Sequence, residues 1–253
     1  MVSNGGFGID FPSDCPDGRG PTGTNERAFQ LALEAEVSGV SFPFRSDELP
    51  ETLVVLDVVQ FCYSHIAIPE QGSYHGFFDH YHLSFDRAQG RSEFRDNMER
   101  IFARNGIIYE LTEDGTMARI AAPVLREVLA EEVFATGDAK LDELLTIARQ
   151  KFLNPDPKVR REGLDKLWDA WERLKTIEGG GKKASATALL DKAASEKTFR
   201  EVLEEEAKAL TSVGNSFHIR HSETKQIELE NDYQADYLFH RMFAIIWLLV
   251  RSR

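Results

Sequence analysis

Two adjacent runs of helical periodicity, parted by a proline stop, most narrow what this chain can become. Leu141, Leu144, Leu145, Ala148 and Phe152 fall at i, i+3, i+4, i+7 and i+11, and "NPDP" at 154–157 ends the run because proline breaks the i→i−4 ladder. A second stripe fills 157–176, where Leu164, Leu167, Trp168, Trp171 and Leu174 share one face before "EGGGKK" at 178–183. A short helix near 185–194 and a longer one over about 197–213 follow, the latter burying Phe199, Val202, Leu203, Ala207, Leu210 and Val213. The last helix spans about 229–251. Stripes of this kind are stable only against one another, so residues 157–253 predict a four-helix bundle, with a domain boundary at 156.

Upstream the pattern changes. Residues 1–47 hold "NGGFG" and "CPDGRGPTG", turn chemistry with little periodicity, and read as an irregular arm. Residues 48–156 read as a helical domain. Within it "ETLVVLDVVQFCYSHI" at 51–66 predicts a helix buried on nearly all sides, and 71–86 is aromatic-rich and irregular. Ser92 caps a helix over 92–104 that buries Phe94, Met98, Ile101 and Phe102. Two β-prone runs around Asp114-Gly115 predict a lone hairpin near 107–120. The fold class is therefore mainly α, an N-terminal helical domain with a small β-hairpin followed by a four-helix bundle.

The net charge of −12 is uneven. Residues 1–156 carry 13 Lys+Arg against 26 Asp+Glu, a balance of −13, whereas residues 157–253 carry 17 against 16, a balance of +1. A polyanion needs local positive charge, so a nucleic acid is expected to meet the C-terminal half. Cys15 and Cys62 are too few and too far apart for a disulfide framework or a thiolate metal site, and no signal-peptide pattern opens the chain, so cytoplasm is the expected compartment. The last helix keeps only about eleven lipid-compatible residues after His240-Arg241, short of the roughly 20 of a membrane span. It does carry Tyr233, Tyr237, Phe239, Met242, Phe243, Ile245, Ile246 and Trp247, more than one face of a small bundle needs, which predicts a homodimer through the C-terminal bundle.

The chemistry-bearing stretch is "VGNSFHIRHSETKQ", 213–226. It offers imidazoles able to move protons near neutral pH (His218, His221), a guanidinium for phosphate (Arg220) and an orienting amide (Asn215), the parts that metal-free phosphodiester cleavage uses. The plainer reading is a helix C-terminus with cations set against its dipole. Asp236, four residues before His240, could orient an imidazole or form a surface pair. Lys182, Lys183 and Arg241 are candidate substrate-binding cations. "GGG" with Lys182-Lys183 lacks the preceding strand and spacing of a phosphate-binding loop, and reads as a linker.

The order "LDKLWDAWERLKT", a Gly/Lys loop, "FREVLEEEAKALTSVGNSFHIRHSE" and "YLFHRMFAIIWLLV" resembles the C-terminal HEPN-type bundle of bacterial abortive-infection proteins. "LPETLVVLDVVQFCY" and "FRDNMERIFARNGIIYELTEDGTMARI" resemble the N-terminal domain of AbiJ-like members, the two together covering about residues 48–250. The resemblance implies a dimeric endoribonuclease whose composite site uses an arginine, a polar residue and a histidine, cutting RNA (tRNA or mRNA) without metal or cofactor, under a possible regulatory protein partner. Mapped here, Asn215 is the polar residue and His221 the histidine. The chain departs at Gly214, where the family's arginine is expected, leaving Arg220 to substitute. Degenerate members of the superfamily resemble binding or scaffolding modules.

One further cluster stands out. His75, His80 and His82 in "HGFFDHYH", with Asp79 beside them, have ligand types that suit zinc or iron, but no recognised metal-site spacing. Their aromatic neighbours favour packed, hydrogen-bonded histidines, and no metal is expected.

Overall fold

In the computed structural model, which describes residues 5–44, 50–120, 134–217 and 227–253, the chain divides into two compact units, Met1–Arg119 and Ile120–Arg253. The described residues are mainly helical, with small antiparallel ribbons.

The N-terminal unit is not led by an irregular arm. Strands β1 (Pro12–Asp14) and β2 (Pro21–Thr24) pair antiparallel, and helix α1 (Glu26–Glu36) starts at Asn25, whose side chain accepts from the Ala28 N–H at 3.0 Å. The arm folds because its few apolar residues find distant partners: Phe7, Phe29 and Leu33 are buried, and the Phe29 ring lies edge-on to Phe61 at 5.6 Å. Helix α2 (Thr52–His65) matches the expected span and meets the core on most sides: Leu56, Phe61 and Tyr63 are buried and Leu53, Val54, Val58, Val59 and Cys62 pack against the same cluster, while Val55 is exposed.

The stretch read as irregular is a hairpin. Strands β3 (Ile68–His75) and β4 (His80–Asp86) pair antiparallel with Tyr74 opposite Tyr81 and His75 opposite His80. A register irregularity between Gln71 and Tyr74 and aromatic residues on both faces hide its alternation in the sequence. Helix α3 (Arg87–Arg104) begins five residues before Ser92, because Asp86 accepts from the Gln89 N–H at 2.8 Å and is the effective cap. Gly90 sits in its first turn, where a Cβ would come within 2.5 Å of the Ala67 Cα. Strands β5 (Tyr109–Leu111) and β6 (Met117–Arg119) form the expected hairpin, the third ribbon among the described residues rather than a lone one. It is tied down by Tyr63, whose hydroxyl donates to the Glu113 carbonyl at 2.8 Å.

In the C-terminal unit helix α4 (Ala139–Phe152) packs with the helices that follow it, so the proline stop is a turn within one unit and no boundary falls at 156. Asp156 accepts from the Lys158 N–H at 2.8 Å and Pro157 takes the first position of α5 (Pro157–Leu174), so the segment that ends one helix starts the next. The two helices touch closely: a Cβ on Gly163 would lie 2.8 Å from the Phe152 nitrogen. Helices α6 (Lys182–Ala193), α7 (Lys197–Ser216) and α8 (Asp232–Arg251) follow among the described residues of this unit.

Its core gathers Leu141, Leu145, Leu164, Leu167, Trp171 and Leu174 with Phe239, Phe243 and Ile246 of α8. Full burial of each such side chain is worth about 1.5–3 kcal/mol. The Phe152 and Phe239 rings stack at 3.7 Å. On α7, Leu203 and Leu210 are buried, whereas Phe199 and Val202, expected in the core, are exposed, Phe199 in the first turn of the helix and Val202 off the axis of the stripe. Among the described residues no helix is long and apolar enough to cross a membrane.

Candidate functional site

The C-terminal motif starts on the last turn of α7. Gly214 is buried there against the indole of Trp168 on α5, and a Cβ at this position would lie 1.9 Å from the ring's Cζ2. No side chain, and certainly no arginine, fits at 214 without moving the tryptophan. Asn215 is exposed at the helix end, while His218, Arg220 and His221 lie outside the described residues. The flanks meet: Phe217 and Ile227 form a parallel bridge, with the Ile227 N–H donating to the Ser216 carbonyl at 3.0 Å.

The three candidate cations share no partner. Lys182 is exposed and pairs with Glu172, which also binds Lys175 at 2.5 Å; burial pushes the Glu172 carboxyl up, but Lys175 and Lys182 together outweigh it and hold the carboxyl below its ordinary value. Lys183 lines a cavity of about 310 Å³ with Trp171, Leu189, Leu190, Ala207 and Leu249. Arg241 is held in bidentate fashion by Glu206 of α7, at 2.6 and 2.8 Å, which raises its already high pKa. The Asp236 carboxylate is 3.7 Å from the buried Arg160 Nε, and His240 packs edge-on against Phe152 at 5.3 Å.

The N-terminal unit holds a tighter constellation. His80 and His82, two apart on β4, point to one face of the ribbon, and His75 lies across the strand pair from His80. The three rings form a near-equilateral triangle with centres 5.3, 5.4 and 5.5 Å apart. Cys15, from the turn after β1, brings its Sγ to 3.6 Å from His75 Nδ1, and one donor atom from each of the four residues lies within 4.8 Å of every other. Cys15 is buried, and its thiol pKa is raised, chiefly by desolvation and then by Asp17. Asp17 Oδ2 lies 3.2 Å from His75 Nδ1, and the Asp17 carboxyl is held low by the Cys15 contact first and by His75 and Arg19 besides. His80 Nε2 and His82 Nδ1 are buried with no hydrogen-bond partner. Asp79 stays outside the group: it takes a left-handed conformation, φ 53°, in the hairpin turn, and accepts from the Tyr74 hydroxyl at 2.6 Å.

The sequence therefore showed three of the four grouped residues and missed Cys15. Sixty positions separate it from His75, and no local signal reports that the arm folds back onto the hairpin. No family model, curated protein or solved structure matches this chain.

Proposed function

We propose that the protein is a metal-independent endoribonuclease effector of bacterial antiphage defence, acting as a dimer through its C-terminal helical unit. The observation that carries the reading is the seat of the motif. The last turn of α7 packs against Trp168, which fixes the position of Asn215, the first polar residue of the motif, in the less acidic half of the chain. In the chemistry proposed, the His221 imidazole takes the proton of a ribose 2′-hydroxyl as that oxygen attacks the adjacent phosphorus. The P–O5′ bond breaks to leave a 2′,3′-cyclic phosphate, the departing 5′-oxygen takes a proton from solvent water, and Arg220 stabilises the charge on the phosphoryl oxygens. DNA, lacking the hydroxyl, is not a substrate.

A second reading, a non-catalytic RNA-binding or protein-interaction module of the same resemblance, draws on the same contact. Trp168 fills the space an arginine at 214 would need, and Arg241 and Lys182 are already engaged by Glu206 and Glu172. RNA cleavage by the purified full chain against His221→Ala separates the two, with RNA binding followed in parallel. Cleavage by the wild type alone supports the enzyme, and equal binding without cleavage by either protein supports the module.

A further inference from the structure

We propose that Cys15, His75, His80 and His82 form a tetrahedral zinc site that fastens the N-terminal β1–β2 arm to the β3–β4 hairpin. The inference lies in the N-terminal unit and is independent of the reading of the C-terminal motif.

The donor set matches the metal. Zinc binds one thiolate and three imidazoles in tetrahedral geometry, with bonds of about 2.3 Å to sulfur and about 2.0–2.1 Å to nitrogen. At a tetrahedral angle those bonds put a sulfur and a nitrogen about 3.6 Å apart, and Cys15 Sγ and His75 Nδ1 stand at 3.6 Å. The near-equilateral triangle of rings is the base of the same tetrahedron.

Histidines merely packed among aromatics would not leave the nitrogens as they are. Buried polar atoms are nearly always hydrogen-bonded, and leaving one unpaired is costly. His80 Nε2 and His82 Nδ1 are both buried without a partner, in the one place among the described residues where a thiol and a third imidazole converge. A cation bound to those lone pairs resolves both vacancies at once.

Magnesium and calcium are disfavoured because they take oxygen ligands, and the mixed sulfur and nitrogen set suits zinc. Four protein ligands leave no open coordination position, so the site is structural. That role fits the fold: β1 and β2 are only 3 and 4 residues long, and a metal bridging Cys15 to two hairpin strands adds a second long-range tie to the apolar contacts of Phe7 and Phe29. Asp17 Oδ2 lies 3.2 Å from the same His75 Nδ1, a contact that zinc would replace when it takes that nitrogen.

The test uses the full chain, reduced, stripped with chelator and reloaded with zinc, or with cobalt as a spectroscopic probe. We expect about one zinc per chain by elemental analysis, and a cobalt form with the visible bands of a tetrahedral site and a thiolate charge-transfer band. Cys15→Ser should remove the charge-transfer band, and His82→Ala should weaken zinc binding by more than about 100-fold, beyond what loss of an outer-shell partner does. Cys62→Ser, outside the group, should change neither. Zinc should raise the melting temperature of the wild type and not that of His82→Ala. A folded wild type that binds no zinc, or that holds it as tightly after Cys15→Ser and His82→Ala, overturns the proposal. If His82→Ala does not fold, the cobalt spectra of wild type and Cys15→Ser decide it alone.

Discussion

Gly214 and Trp168 are in such close contact that a single added carbon at 214 would fall within 1.9 Å of the indole. Glycine is required there by packing, in the middle of a helical turn where its φ needs no special freedom. Gly214→Ala should destabilise the C-terminal unit by about 3 kcal/mol, the upper end of the range for overpacking a core, and Gly214→Arg should abolish its folding. Urea unfolding followed by tryptophan fluorescence measures the first change. A loss below about 1 kcal/mol would mean that Trp168 moves aside at little cost.

Gly115 and Gly106 test the same logic in the N-terminal unit. Both have positive φ, 87° and 64°, but a Cβ on Gly115 would lie 2.4 Å from Tyr63 Cδ1 while none meets anything within 4 Å at Gly106. Gly106→Ala should cost only the left-handed penalty of about 1–2 kcal/mol. Gly115→Ala should cost that and a packing loss of about 1–3 kcal/mol more. Equal losses in the two variants would contradict the contact with Tyr63.

Asp138 predicts a pH dependence. It caps α4 by accepting from the Leu141 N–H at 2.8 Å and grips Arg173 through two contacts of 3.1 and 2.6 Å. The Arg173 hydrogen bond, then the Leu141 N–H, hold its carboxyl below the ordinary 3.8. A carboxyl depressed in the folded state stabilises above its unfolded pKa, and that stabilisation is lost as pH falls through the folded value. Asp138→Ala should cost about 1–2 kcal/mol at pH 7. Asp138→Asn, which keeps a capping oxygen, isolates the charge: its difference from wild type should be constant from about pH 7 down to about pH 5 and shrink below about pH 4. A difference that does not change down to about pH 2 would show that the charge contributes nothing.

The expected dimer has a narrower basis than the sequence suggests. Phe239, Met242, Phe243, Ile245 and Ile246 are buried in the chain's own core, whereas Tyr233 and Tyr237 on α8 are 82% and 60% exposed. Light scattering of the wild type should give twice 28.6 kDa. Tyr233→Ser with Tyr237→Ser should give 28.6 kDa without loss of helicity. A wild-type monomer at micromolar concentration removes the dimer from the account.

What the sequence made legible follows from range. The stripes on α4, α5, α7 and α8 and the Asp114-Gly115 hairpin are local patterns, and each corresponds to an element at nearly the expected place. Phe7, Phe29 and Cys15 acquire their meaning only from partners tens of residues away, so in the sequence the arm reads as irregular and the histidines read as packed among aromatics. The "NPDP" at 154–157 marks the stop where the helix ends, but a stop between two helices that pack together is a turn, which periodicity alone does not distinguish from a boundary. The contact that makes Gly214 obligatory likewise spans two helices, Trp168 on α5 and the end of α7.

The most direct test of the central functional claim is the rate of RNA cleavage by the purified full-length protein against His221→Ala, with circular dichroism confirming that both are folded. General acid-base catalysis contributes about 10²–10⁴-fold, so the variant should be slower by at least about 100-fold, on RNA and not on DNA, with magnesium making no difference. Cleavage at the same rate by both proteins, or by neither, would contradict the enzymatic reading.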